Sequence, residues 1–181
     1  MFSKDALKGQ RILVTGGGSG LGKEMSRHFL KFGSEVVICG RRESVLEDTA
    51  KELSDETGGV ITYFPLDIRD SMAIEASVEE LFNEKPLTGL VNNAAGNFIS
   101  RTKDLSPNGF NAIASIVFHG TFYITNAVGK RWIENKQKGS IISILATWVW
   151  TGSPFVIPSA MSKSGINAMT KSLAVEWGQY E

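Results

Sequence analysis

A glycine-rich turn directly follows a short apolar run, and this combination restricts the fold more than any other feature of the chain. Residues 12–14 are Ile-Leu-Val, and residues 15–22 read TGGGSGLG. Glycines let the backbone adopt positive φ and let an anion approach without a Cβ atom in the way, while a helix that starts there offers free N–H groups. The pattern predicts a strand, a phosphate-binding turn and a helix, with a dinucleotide as the expected ligand.

The segments that follow supply the context that such a turn needs. Apolar residues recur at near-helical spacing from Leu21 to Phe32, Gly33 marks a helix end, and residues 35–39 read as a second buried strand. A glycine cluster also suits an ordinary tight turn. The order of strand, turn, helix and strand favours the nucleotide-binding interpretation over that alternative, because it forms a βαβ unit.

Composition and charge narrow the class of protein. The 181 residues are 42% hydrophobic with a formal net charge of zero, which fits one globular domain, and scattered basic residues give no nucleic-acid surface. The apolar stretch 141–150 is too short to cross a bilayer, so no membrane span is expected. The single cysteine, Cys39, is expected to be a buried thiol, which favours a cytoplasmic location. No metal site is predicted.

Strand and helix patterns alternate along the whole chain. Strands are predicted near 11–15, 35–39, 60–64, 88–91 and 140–145, and helices near 20–32, 43–55, 70–83, 104–136 and 160–179, the fourth long enough to contain a break. This alternation predicts an α/β fold with a Rossmann-type doubly wound parallel sheet between two layers of helices, as a single domain over residues 1–181. The ligand is expected at the carboxyl ends of the strands.

Two motifs resemble those of the short-chain dehydrogenase/reductase family. Gly16, Gly20 and Gly22 have the spacing TGxxxGxG, and residues 92–96 read NNAAG after a predicted strand. In that family the domain usually continues for two more strands, so the C-terminal strands are expected to be missing from this chain. The resemblance implies a nicotinamide dinucleotide held by Gly16, Gly18, Ser19, Gly20, Leu21, Gly22, Asp67, Ile68, Asn93, Ala94, Ala95, Gly96 and Lys163.

The end of the second predicted strand bears on the choice of nicotinamide cofactor. An acidic residue there would bind the ribose hydroxyls of NAD, but the chain has Arg41 and Arg42. Guanidinium groups bind a 2′-phosphate, so NADPH is favoured over NADH, unless both arginines are merely solvated charges. Asp67 matches a family aspartate that binds the adenine amino group, although an aspartate before a helix also serves as a cap, and Asp70 lies nearby.

Three of the four catalytic positions of the family have changed. Lys163 matches the family lysine, but Ser159 stands where the tyrosine is expected and Ala146 where the serine is expected. His119 aligns with the family asparagine of the long helix.

One branch of the family resembles the chain over nearly its whole length. Residues 92–99, 105–108, 158–160 and 173–178 are similar to the 2,4-dienoyl-CoA reductases. This resemblance implies NADPH-dependent reduction of a dienoyl-CoA to an enoyl-CoA in fatty-acid metabolism, with Ser159 bonded to the thioester oxygen. The tyrosine that donates the proton in some members falls at Trp148. Indole donates a hydrogen bond but has no proton to release near neutral pH.

A group other than Trp148 must therefore donate the proton. Histidine titrates near neutral pH, so His119 or a water held by Lys163 is the predicted donor, while the alternative is that His119 only stabilises a helix kink. Asn97 and Phe98 are predicted to contact the acyl-CoA. Arg69 and Arg101 are candidates for binding the CoA phosphates.

Two other functions stay open at this stage. A 3-oxoacyl or ketone reductase of the same family is disfavoured because a carbonyl substrate would lack its proton donor. A catalytically weak NADP(H)-binding protein is compatible with the missing acid. The family also implies a homotetramer or homodimer formed through the long helices.

Overall fold

The computed structural model describes residues 3–180 and contains one parallel sheet. Its five strands have the order β3-β2-β1-β4-β5. The bounds are β1 Arg11–Thr15, β2 Glu35–Gly40, β3 Ile61–Pro65, β4 Gly89–Asn92 and β5 Ser140–Ser143. All pairs are parallel, so every connection crosses a face of the sheet. The predicted α/β fold of Rossmann type is confirmed.

Helices connect the strands. Their bounds are α1 Gly20–Lys31, α2 Glu43–Thr57, α3 Ser71–Glu84, α4 Pro107–Ala114, α5 Thr121–Glu134, α6 Trp148–Thr151 and α7 Ile157–Trp177, with short 3₁₀ helices at Thr102–Asp104 and Gly178–Tyr180. The predicted strands and main helices agree with these bounds to within a few residues. The four-residue α6 was not predicted, because a single helical turn has no apolar repeat to reveal it.

Both faces of the sheet are covered, and this explains why its strands are nearly continuous apolar runs. Alternate residues of β1 point to opposite sides, so Leu13 packs on the face that holds α3 and α5, whereas Val14 packs with residues of α1 and α2 on the other face. Both side chains are fully buried. Cys39 is buried in the core, as predicted, and its burial raises the pKa of the thiol to about 12.

A π-helical segment, Ser115–Gly120, joins α4 to α5 and accounts for the break expected in the long helix. By length and composition, the continuous helix Pro107–Glu134 is long and apolar enough to cross a membrane. The prediction that no membrane span is present was based on residues 141–150 and did not consider this helix. More than half of its most apolar stretch is buried, and Ile124 and Val128 pack in the sheet core. A core helix of this kind meets the same criteria.

Candidate functional site

A cavity of about 560 Å³ opens at the carboxyl ends of the strands. Most of the predicted site residues line it, namely Gly16, Gly18, Ser19, Leu21, Arg41, Arg42, Asp67, Ile68, Asn93, Ala94, Ala95, Gly96, Asn97, Trp148, Ser159 and Lys163. The wall also includes Ala146, at the position of the family serine, and Gly40 at the end of β2. Residues that the sequence did not single out for it are Val45, Leu46, Leu66, Ile116, Ile144 and Leu145. Several of these directly follow a strand, which is the signal that could have revealed them.

The glycine-rich turn forms one end of the cavity. Gly16 has φ +66°, and its N–H donates to the Cys39 carbonyl at 2.8 Å, which fixes the turn against the end of β2. A Cβ atom on Gly16 would lie 3.0 Å from the Ala94 Cα, so a side chain there would press on the neighbouring loop. Ser19 precedes α1 with extended backbone and makes no side-chain cap, which leaves the first N–H groups of α1 without a side-chain partner from the cap.

Thr15 ties this turn to the loop after β4. Its hydroxyl accepts hydrogen bonds from the backbone N–H groups of Asn93 and Ala94, both at 3.0 Å, and donates to the Val91 carbonyl. The Asn93 amide donates in turn to the Thr15 carbonyl at 3.0 Å and the Gly16 carbonyl at 3.3 Å. The two loops are thereby fixed relative to each other. Thr15 was recognised beforehand only as part of the glycine motif, since hydrogen bonds between distant segments are not visible in a sequence.

Gly20 and Gly22 do not line the cavity wall, and their contact with a cofactor stays a prediction. Gly20 has φ +53° and faces open space. A Cβ atom on Gly22 would overlap the Gly16 carbonyl and lie 2.6 Å from the Asn93 amide nitrogen. By contrast, Leu21, which begins the apolar helical repeat, is 67% exposed and lines the cavity. Leu21 therefore lies outside the core, although it belongs to the apolar helical repeat.

Two positively charged side chains lie in the cavity wall beside the end of β2. Arg41 and Arg42 are both exposed and line the wall, where an anionic ligand can reach them. Asp67 faces the same region and is paired with Arg69, whose Nε donates to both carboxylate oxygens at 2.9 Å. This bond, with a smaller contribution from Arg41, lowers the pKa of Asp67, so the carboxylate stays ionised.

Asp70, and not Asp67, caps the next helix. Its Oδ1 accepts from the N–H groups of Met72 and Ala73 at 3.0 Å. The cap alternative for Asp67 is therefore wrong, while its contact with an adenine stays a prediction. Because the Arg69 side chain is bonded to Asp67, its charge is already partly neutralised, which argues against its role as a CoA phosphate ligand.

Lys163 and Ser159 lie at the other end of the cavity, one turn apart on α7, and both are buried. The Lys163 ammonium donates to the Ile144 carbonyl just after β5. Its burial disfavours the charged form and lowers the pKa of Lys163 below the ordinary lysine value. The Trp148 indole N–H is also buried and has no hydrogen-bond partner among residues 3–180.

Besides Gly20 and Gly22, two predicted site residues do not line the cavity wall. His119 is exposed, outside the cavity wall, with its ring 5.5 Å from Phe118 and 6.2 Å from Tyr123 between centroids. It lies in the π-helical segment, so the geometry favours the alternative in which this residue belongs to the kink. Phe98 is 40% exposed at the mouth, next to the wall residue Asn97.

The cavity can therefore bind an anion at one end and act on an uncharged group at the other. Within the described part of the chain, the titratable side chains in its wall are Arg41, Arg42, Asp67 and Lys163. Burial lowers the pKa of Lys163, whereas the pairing with Arg69 keeps Asp67 ionised, so Lys163 is the better placed of these two groups to exchange a proton. The uncapped helix start, the glycine cradle and the two arginines fit a phosphate-bearing dinucleotide.

Comparisons with known proteins agree with this geometry. Residues 10–181 match the family model described as short chain dehydrogenase. A Caenorhabditis elegans protein named "probable 2,4-dienoyl-CoA reductase 3" is 46% identical over 178 residues, which are 97% of this chain and 57% of that protein. A Bacillus subtilis protein named "probable 2,4-dienoyl-CoA reductase" is 39% identical over 168 residues, covering 92% and 66%.

A solved structure extends the match to three dimensions. The short chain dehydrogenase from Bacillus anthracis superposes with a TM-score of 0.89 at 44% identity, over 94% of this chain and 70% of that one. The chain thus spans little more than half the length of its Caenorhabditis elegans relative. The family match over nearly all of the sequence and the relatives above 30% identity agree. The chain belongs to the short-chain dehydrogenase/reductase family, and within that family it is similar to proteins named as 2,4-dienoyl-CoA reductases.

Proposed function

We propose that the protein is an NADPH-dependent oxidoreductase that reduces a 2,4-dienoyl-CoA to an enoyl-CoA. The observation that carries this proposal is one cavity with exposed arginines beside the glycine turn at one end and a buried lysine at the other. The names of the two dienoyl-CoA reductase relatives supply the substrate class.

The residues present would hold the cofactor from its phosphates to its nicotinamide ribose. Gly16, Gly18 and Ser19 would receive the pyrophosphate, Arg41 and Arg42 the 2′-phosphate, and the Lys163 ammonium the nicotinamide ribose hydroxyls. When bound, the reduced dinucleotide supplies a hydride. The protein's task is then to orient the acyl chain, stabilise the negative charge that develops on the thioester, and deliver a proton.

The carbon atom that receives this proton determines which enoyl-CoA is formed. Addition of hydride at C5 of a 2,4-dienoyl chain spreads the extra electron pair over C4, C2 and the thioester oxygen. Protonation at C2 leaves a C3–C4 double bond, whereas protonation at C4 leaves the C2–C3 double bond. The Caenorhabditis elegans relative is named as producing (3E)-enoyl-CoA and the Bacillus one as producing (2E)-enoyl-CoA. We propose the (3E) product, because the identity with the former is higher.

The proton would come from a water held by Lys163. Trp148 stands at the position where the branch resemblance places a tyrosine, and an indole N–H donates a hydrogen bond without releasing its proton. His119 lies outside the cavity wall and is not proposed as the donor. The Lys163 ammonium would also stabilise the developing charge, and Ser159 would bond the thioester oxygen.

The arginines are expected to set the cofactor preference. Arg41→Ala should weaken NADPH binding about 10- to 100-fold, because a charge-assisted bond to the 2′-phosphate is lost, while NADH binding should change little. Calorimetric Kd values for both nucleotides measure this. Arg101→Ala, which removes an exposed arginine outside the cavity wall, is the matched control. An unchanged ratio of the two Kd values in Arg41→Ala would remove the NADPH assignment.

The activity itself separates the competing functions. The full-length protein with NADPH should oxidise the nucleotide in the presence of hexa-2,4-dienoyl-CoA and give the (3E) product, identified by proton NMR. Turnover of 3-oxoacyl-CoA substrates alone would instead select the ketone reductase. Tight NADPH binding with turnover of neither class would select the binding protein. The cytoplasmic location and the homotetramer or homodimer stay predictions, which fractionation and light scattering can test.

A further inference from the structure

A group of buried polar side chains joins the ends of β4 and β5 to helix α5. It consists of Asn92, Thr125 and Ser143, which we call the polar cluster. The Asn92 amide nitrogen donates to the Thr125 hydroxyl at 2.8 Å and to the Ser143 hydroxyl at 3.3 Å. Asn92 is 4% exposed and Thr125 1%. Two strands and a helix are therefore held together by one side-chain amide.

The polar cluster is connected to Lys163 through one backbone carbonyl. Asn92 and Ser143 are partners in the register of β4 and β5, and the next N–H, that of Ile144, donates to the Asn92 carbonyl at 2.9 Å. The Ile144 carbonyl in turn accepts a hydrogen bond from the Lys163 ammonium. Asn92 thus holds Ser143 by its side chain and Ile144 by its main chain, at the point where the chain leaves β5 and enters the cavity wall.

Thr125 is the closer of the two partners that hold the Asn92 side chain. The Oδ1 atom of Asn92 is buried and has no hydrogen-bond partner among residues 3–180, so the nitrogen alone fixes this amide. Within the described part of the chain, β5 pairs with β4 only, and its end depends on the contacts that Asn92 makes. Without the Thr125 hydroxyl, the amide would keep only the longer bond to Ser143 and would be free to turn.

We infer that Thr125 is a positioning residue, which through the polar cluster fixes the Ile144 carbonyl and hence the Lys163 ammonium. This inference rests on the proposed function, in which that ammonium stabilises the developing charge and holds the water that donates the proton. The rate of such a step depends on the exact place of the charge, because stabilisation of the transition state requires a preorganised geometry. Thr125 does not line the cavity, so it acts through Ile144 and not on the substrate.

The other titratable groups around Lys163 are remote from it. The elements that pack against α7 are β5, α4, α6, the π-helical segment and the 3₁₀ helix that follows α7. In the described chain, the titratable side chains on these elements, on α7 and in the cavity wall are, besides Lys163, His119, Lys171, Glu176, Tyr180, Arg41, Arg42 and Asp67. His119 is exposed outside the wall, the next three lie more than two helical turns beyond Lys163 in sequence, and the last three lie at the other end of the cavity. A change in the protonation of Lys163 on substitution of Thr125 would therefore report the Ile144 carbonyl.

Thr125→Val keeps the shape of the side chain and removes its hydroxyl. In the full-length protein it should lower kcat for dienoyl-CoA reduction about three- to tenfold and move the alkaline fall of kcat to lower pH by about half a unit. The reason is that the Ile144 carbonyl stabilises the charged form of Lys163, and a displaced carbonyl does so less well. Thr125→Ser retains the hydroxyl and should restore both values. Thr170→Val makes the same change on α7, where the hydroxyl bonds the Ile166 carbonyl of its own helix, and should alter neither.

A second measurement needs no turnover and separates positioning from a loss of folded protein. In protein labelled with ¹³C at lysine Cε, the NMR signal of Lys163, identified by its absence from Lys163→Met, follows the charge on Nζ as pH is raised. Its titration midpoint in Thr125→Val should be lower than in the parent by the same margin, whereas a smaller folded fraction would reduce only the signal intensity. Ser143→Ala should move the midpoint in the same direction by less, because it removes the longer of the two bonds.

The two measurements distinguish the inference from the proposed function. If the parent reduces dienoyl-CoA and the Lys163 midpoint is the same in the parent and in Thr125→Val, the inference is overturned and the proposed function stands. A shift of equal size in Thr170→Val would also overturn the inference. If the midpoint moves in Thr125→Val but the parent reduces no dienoyl-CoA, the proposed function is overturned, and the polar cluster keeps its role in placing the ammonium.

Discussion

Lys163→Met should lower kcat for dienoyl-CoA reduction about 100-fold or more, while the protein remains folded. Among residues 3–180, the ammonium is the one cation in the wall near Ser159, and preorganised charge in a buried site is usually the largest single contribution to catalysis. Methionine has a similar length and removes only the charge and the hydrogen bond to Ile144. The measurement is single-turnover oxidation of NADPH followed by absorbance. Lys171→Met, an exposed lysine on the same helix, is the matched control.

Lys163→Met should also change how the free energy of unfolding depends on pH. This change distinguishes the loss of a buried charge from a general structural defect. The pKa of Lys163 is lowered in the folded state, so the unfolded chain holds the proton more tightly. At pH values between the lowered folded-state pKa and 10.5, the unfolded state binds more protons than the folded state. The contribution of Lys163 to the stability of the parent protein therefore rises with pH in this range. Below that window the buried charge is a constant penalty. Lys163→Met should therefore be at least as stable as the parent near pH 7 and should lack this rise.

Three results would contradict this assignment. An unchanged kcat in Lys163→Met would exclude the ammonium from the chemistry. A kcat that stays constant as pH rises through the lowered pKa of Lys163 would show that the charged form is not the active one. A uniform loss of activity in both Lys163→Met and Lys171→Met would point instead to a general effect of neutralising a lysine on α7.

The fold was predictable from the sequence because its determinants are local. Buried parallel strands are short apolar runs, and residues 11–15 and 35–39 are of this kind. Glycine marked the sharp turn into α1, since that turn requires positive φ at Gly16 and Gly20. These signals do not depend on distant parts of the chain.

The site was less predictable because it depends on where side chains point. His119 matched a family position by alignment, yet it lies in a π-helical segment and its side chain is exposed outside the cavity wall. An inserted π turn changes the direction of the residues in it, and the break expected in the long helix did not specify which way His119 would point. The pairing of Asp67 with Arg69 and the bonding of Thr15 to Asn93 likewise depend on side-chain geometry.

Two exposed apolar residues are a second case in which exposure could not be deduced from residue type. Ile99 and Phe155 are apolar and would ordinarily be assigned to a core. The structure instead leaves both in contact with solvent and joins their loops through Ser100. A sequence pattern reports which residues avoid water on average, whereas the exposure of one side chain depends on how its loop packs.

Gly22→Ala should destabilise the protein by about 2 to 3 kcal/mol and weaken NADPH binding at least about tenfold. Within a helix, alanine is normally better than glycine by about 1 kcal/mol, so a loss must come from the overlap of its Cβ with the Gly16 carbonyl and the Asn93 amide. That overlap would displace the turn from the loop after β4. Urea unfolding and NADPH calorimetry measure both effects. Gly20→Ala, with open space around it, should cost only about 1 kcal/mol from its positive φ. If Gly22→Ala instead matched the parent in stability and NADPH affinity, close packing of α1 on this turn would not be what shapes the phosphate end of the cavity.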